Sequence, residues 1–135
     1  MSTNTALDQL FVKTRAENRA ALIAYIPAGF PSQAGCHKVI ETLAKAGVDA
    51  IEIGYPYSDP VMDGPTIQAA ATQALENGTG VTEVFAALKH ATDQGVAAVV
   101  MTYWNPIEKY GAAKFAQAIA DNGGSGVNTP DLTIE

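Results

Sequence analysis

Residues 49–70 read DAIEIGYPYSDPVMDGPTIQAA. The stretch opens as an apolar run interrupted by one acid, Glu52, and passes into a loop in which Pro56, Pro60 and Pro65 each fix φ. A short apolar run bounded by glycine and proline reads as a strand buried on both faces, as in a parallel sheet. An unpaired carboxylate in such a strand is costly. Glu52 therefore lies near the strand end facing solvent, or does acid/base chemistry in a pocket. The loop acids also allow two readings. Asp59-Pro60 makes a turn and Asp63 N-caps the helix opened by Pro65, or the stiff loop holds an acid at a set distance from Glu52.

Three more segments repeat the plan of an apolar run followed by a proline-bearing loop: LIAYIPAGFP from Leu22, VAAVVMTYWNP from Val96 and SGVNTPDL from Ser125. Helical stripes lie between them. Cys36, Val39, Ile40 and Leu43 recur at helical spacing with Gly47 as the stop; Ile67, Ala70, Ala71, Ala74 and Leu75 follow Pro65 and end at Gly78. Val84, Ala87, Leu88 and Ala91 end near Gly95, and Phe115, Ala118 and Ile119 end at Gly123. Leu7, Leu10 and Phe11 mark a helix ahead of the first strand. Strands alternating with helices give an α/β fold with a parallel sheet and right-handed crossovers, either doubly wound or a βα-barrel. Both folds place their chemistry at the carboxyl ends of the strands.

Length and composition suit one globular domain over residues 1–135, with 47% hydrophobic and 16% charged residues. A net charge of −6 without a basic cluster argues against nucleic acid or an anionic membrane as partner. No apolar run approaches a membrane span, and a lone cysteine, Cys36, suits a core position in a cytoplasmic protein. His37 and His90 lie far apart in helical patterns and are expected to be solvated or packed rather than metal-binding. The glycine-rich NGGSG from Asn122 follows a helix and precedes a strand, so it reads as a helix stop and loop, not as a phosphate cradle. Tyr103, Trp104 and Asn105 leave the third strand in position to contact a ligand or partner.

IEIGYPYSDPVMDGPTIQ from Ile51 resembles the signature region of the tryptophan synthase alpha chain family, and AYIPAGFPS from Ala24, MTYWNPIEKYG from Met101 and TPDL from Thr129 resemble further family segments in the same order. The resemblance implies a TIM (β/α)8 barrel, of which this chain covers about the first four strands, a half barrel. It implies a lyase that cleaves indole-3-glycerol phosphate to indole and glyceraldehyde 3-phosphate in tryptophan biosynthesis, without metal or organic cofactor. Glu52 is then the proton-transferring residue and Asp63 the carboxylate on the indole N–H, with Tyr103 against the substrate. The resemblance also implies a partner, the tryptophan synthase beta chain, met by Pro56, Asp59, Asn105 and Asp131.

A βα-barrel typically takes ~250 residues. By the resemblance, the strands and loops that bind the substrate phosphate come later than the segments present here, and this chain alone is expected to show no lyase activity. An open barrel-facing surface, including Ile51, Ile53, Val99 and Val100 in part, is expected to drive self-association. A non-catalytic half barrel acting as an oligomerising or interaction module is the alternative function. Asn128 stands in the fourth strand where an apolar residue is expected.

Overall fold

Parallel pairing lays Tyr25 beside Glu52 and Glu52 beside Val99, which puts all three side chains on one face of a sheet. The computed structural model describes residues 4–134. Its elements run α1 (Ala6–Ala16), β1 (Ile23–Pro27), α2 (Gln33–Ala46), β2 (Ala50–Gly54), α3 (Pro65–Glu76), α4 (Val81–Asp93), β3 (Ala97–Met101), α5 (Trp104–Tyr110), α6 (Ala112–Asp121) and β4 (Val127–Asn128). The strands lie in the order β1-β2-β3-β4, and every pairing is parallel. β1 and β4 are the edges, and Pro27, which cannot donate to a ladder, sits on the edge strand β1.

The alternation expected from sequence is present, with one addition. The segment after β3 was expected to be a loop, yet Trp104 to Tyr110 forms α5. Pro106 falls in the first turn, where its missing N–H costs no intrahelical bond, and Gly111 ends the helix at φ 98°. Asp131 supplies the missing cap: its two carboxylate oxygens accept from the Trp104 N–H at 3.1 and 3.0 Å. Read from proline alone, this segment looks like punctuation; its cap comes from 27 residues further on.

The core lies between the sheet and the helices. Ile26, Ile51, Ile53, Ala98 and Val100 pack against Cys36 and Ile40 of α2, Val84, Leu88 and Ala91 of α4, Ile107 of α5, and Phe115 and Ile119 of α6. Each fully buried isoleucine contributes roughly 1.5–3 kcal/mol. This corrects the expectation that Ile51, Ile53 and Val100 would face an open barrel interior; all three are completely buried under helices. The pleat is the reason. Successive residues point to opposite faces, so a strand that turns Glu52 away from the helices must turn Ile51 and Ile53 into them. Of the four residues named, only Val99 shares the face of Glu52 and is partly exposed.

The amino ends of β1 and β2 are clamped by one ion pair. Arg19 donates through Nη1 and Nη2 to the two oxygens of Asp49, both at 2.8 Å, and the Leu22 N–H donates to Asp49 at 2.7 Å. The Arg19 bonds, followed by the Leu22 N–H, hold the Asp49 carboxyl down at about 2. The described helices contain none long and apolar enough to cross a membrane.

Candidate active site on the open face of the sheet

Glu52 stands at the centre of β2, half-buried, between two isoleucines that point the other way. Its Oε1 accepts a hydrogen bond of 2.9 Å from Asn128 Nδ2 on β4. Beside it on β1, Tyr25 leans across the backbone of Gly54, where a Cβ would overlap the phenol. Only glycine allows that approach. Burial pushes the Tyr25 phenol up, and the charges of Asp63 and then Glu52 push it further. Tyr25 thus feels both the loop acid and the strand acid.

Asp63 is not the cap of α3. The N-cap is Gly64, with no side-chain hydrogen bond, and Pro65 opens the first turn. The Asp63 carbonyl accepts from Gln68 Nε2 at 2.7 Å, while its carboxylate makes no hydrogen bond among the described residues. The structure thereby removes the capping role and leaves a half-buried carboxylate without a structural task.

The loop carrying Asp63 is tied to the β3–α5 corner at two points. The Met62 N–H donates to Tyr103 Oη at 3.0 Å, and Asn105 Nδ2 donates to Tyr57 Oη at 2.9 Å. The Tyr57 and Tyr103 rings meet at 5.5 Å between centroids. Tyr103 is buried and is the N-cap residue of α5. Of the residues expected at a partner surface, Asn105 and Asp131 gather at the start of α5, and Asp59 is exposed, accepting from Ser58 Oγ at 2.8 Å. Pro56 is buried.

Sequence reasoning missed Tyr25 and the partner of Asn128. Parallel register carries the signal for the first, since the residue level with Glu52 on the preceding strand must share its face. Other features lie away from these acids. Cys36 is buried in the core, as expected. His37 and His90 come together across α2 and α4, stacked at 4.4 Å, with Glu41 Oε1 at 3.2 Å from His90 Nε2. No group of three His, Cys, Asp or Glu side chains suited to a metal occurs among the described residues. An apolar groove of about 460 Å³ runs between β1, α2 and α3, lined by Tyr25, Phe30, Leu43 and Ile67 among others.

A four-stranded parallel sheet with helices packed on one face, and with a carboxylate at the centre of its second strand, is about half of a TIM-type (β/α)8 barrel. The family profile described as tryptophan synthase alpha chain matches residues 11–135. Among curated relatives, the tryptophan synthase alpha chain of Thermobifida fusca is 51% identical over 131 residues, 97% of this chain and 48% of that one. That of Nocardia farcinica is 50% identical over 135 residues, 100% of this chain and 51% of that one. The structure of Mycobacterium tuberculosis tryptophan synthase superposes with a TM-score of 0.93 at 46% identity, covering 96% of this chain and 51% of that chain. The chain belongs to the tryptophan synthase alpha chain family. It spans about half the length of the curated relatives it matches.

Proposed function

We propose that this chain carries the acid/base half of a lyase that cleaves indole-3-glycerol phosphate to indole and glyceraldehyde 3-phosphate. The observation that carries this reading is Glu52, a carboxylate on the open face of the sheet that accepts from Asn128, followed in the next loop by the Asp63 carboxylate, which makes no hydrogen bond among the described residues. The bond to be broken joins indole C3 to the hydroxyl-bearing first carbon of the glycerol chain. Glu52 delivers a proton to C3, which makes the ring an electron sink. Asp63 accepts a hydrogen bond from the ring N–H and stabilises the positive charge that grows there. The C3–carbon bond then breaks, its electron pair returns to the ring, and the glycerol hydroxyl proton passes to Glu52 as the aldehyde forms. Proton transfers suffice for this chemistry, so no metal or organic cofactor enters it, and on this reading the protein works in the cytoplasm.

Tyr25 and Tyr103 wall the indole site in this reading, and contacts to the substrate phosphate come from the half of the barrel that the relatives possess beyond the matched region. The tryptophan synthase beta chain then docks on the β2–α3 loop and the start of α5, at Asp59, Asn105 and Asp131 with Pro56 beneath. The test is indole release from indole-3-glycerol phosphate by the chain mixed with the complementary half of the Thermobifida fusca relative. Release that falls by about 10²–10⁴ in Glu52→Gln is the expected result for a positioned acid/base. Equal release from parent and variant removes Glu52 from the chemistry.

A further inference from the structure

Asn128 is the residue for which neither the fold nor the proposed chemistry has yet supplied a reason. Asparagine is depleted in strands, and β4 is an edge strand whose register neighbour is Met101. The Asn128 side chain nevertheless reaches over β3 to β2 and donates to Glu52 Oε1 at 2.9 Å. The register shows how. Met101 on β3 and Gly54 on β2 lie level with Asn128, and Val99 lies level with Glu52. The Tyr25 phenol fills the space over Gly54, and the short valine leaves the passage across β3 open. Among the described residues this is the one hydrogen bond to the Glu52 carboxylate.

From this geometry we infer that Asn128 is a positioning residue for Glu52. A glutamate side chain has three rotatable torsions, and on a half-exposed sheet face little else constrains them. A single donor on Oε1 fixes the direction of the carboxylate and leaves Oε2 free to carry the proton. A bond from an amide to an ionised carboxylate is stronger than one between neutral groups, so one such contact selects a rotamer. The alternative reading, that Asn128 is merely a polar residue on an exposed edge, makes a different demand: any polar side chain would serve there.

The inference rests on the proposed role of Glu52 for its catalytic meaning, but the test reads the carboxylate directly. Three-bond couplings that report Glu52 χ1 and χ2, together with the Asn128 side-chain amide signal, are measured in the 135-residue chain as it stands and in three variants. In the parent, Glu52 occupies one rotamer and the Asn128 amide signal shifts when Glu52→Ala removes the acceptor. Asn128→Leu and Asn128→Asp both release Glu52 into averaged rotamers; Asn128→Asp does so although it keeps the shape and polarity of the edge. Single-rotamer couplings that persist in Asn128→Asp, or an Asn128 amide indifferent to Glu52→Ala, overturn the inference. Indole release in the reconstituted assay then falls by up to about 10²-fold in Asn128→Asp, as expected for a misdirected reacting group. A parent mixture that releases no indole overturns the proposed function, and the couplings still decide the role of Asn128.

Discussion

On the helix-covered face of the sheet, Ile26, Ile51, Ile53, Ala98 and Val100 are exposed by 5% or less. On the other face, Tyr25, Glu52 and Val99 are half-exposed and Asn128 is exposed. The same strands supply both sets, one residue apart. A strand whose odd positions are isoleucines can carry a carboxylate between them without disturbing the core, because the pleat sends the two kinds of side chain in opposite directions. The packed face and the face that carries the proposed acid/base residue are thereby separated by a single backbone step. Continuous apolar runs such as AAVVM in β3 hide this division, since both faces then look alike in sequence.

The comparison breaks first at Ile53. Truncation to alanine on the covered face should cost about 2–5 kcal/mol in urea unfolding. Glu52→Gln, one residue away, should stay within about 0.5 kcal/mol of the parent in the same experiment. Similar losses at the two positions would mean that the faces are not energetically distinct.

Gly54 sharpens the comparison on the open face. Gly54→Ala forces a methyl group against the Tyr25 phenol and should cost about 1–3 kcal/mol, the usual range for overpacking. The Tyr25 ring signals should move with it, while the Ile26 and Val100 methyl signals stay in place. Methyl signals that shift as much as the ring would place the strain in the core instead.

Both faces depend on the β1–β2 register, which the Arg19–Asp49 clamp holds at the amino ends. Asp49 has its carboxyl lowered to about 2 in the fold, below its unfolded value near 3.9. Its contribution is therefore complete above about pH 4 and is lost as pH falls toward 2. Asp49→Asn should flatten the acid limb of a thermal-midpoint-against-pH curve in that window. An unchanged acid limb would remove the clamp from the account.

The smallest effect belongs to the outer surface of the helix layer. Burial, and then the neighbouring His90, lower the pKa of His37, with Glu41 opposing. A base whose folded pKa is depressed favours the fold when neutral, so its contribution is present above the ordinary histidine range and lost as pH falls through it. Lys38 and Lys45 also act on this group of side chains through Glu41. His37→Gln should leave the thermal midpoint at pH 8 close to the parent value and reduce its decline between pH 7 and pH 5. A decline identical to that of the parent would show that the stacked pair carries no proton linkage.

Much of this was legible in the residues. The strand and helix order followed from apolar runs, helical spacing and the glycine stops at Gly47, Gly78, Gly95 and Gly123, all of which adopt positive φ. Glu52 stood out because a carboxylate interrupts an apolar strand, and Asp63 because the loop behind it is stiff. Three things were not legible. Helix α5 is completed by a carboxylate distant in sequence, so its local signal is incomplete. The facing of Ile51, Ile53 and Val100 depends on which way Glu52 points, because the period-two pleat turns them under the helices only when Glu52 faces away from them. The bond from Asn128 to Glu52 spans 76 residues and an intervening strand, and only the register of the assembled sheet brings the two together.

The most direct test of the open face as a proton-transfer surface uses indole alone, which needs no phosphate contacts. In deuterated water the chain at saturating indole should accelerate exchange of the ring C3 hydrogen, followed by proton NMR. Glu52→Gln should abolish the acceleration, whereas Ile53→Val, on the covered face, should retain it. Equal exchange in the parent and Glu52→Gln chains would contradict the assignment of Glu52 as the proton carrier, and with it the division of labour between the two faces.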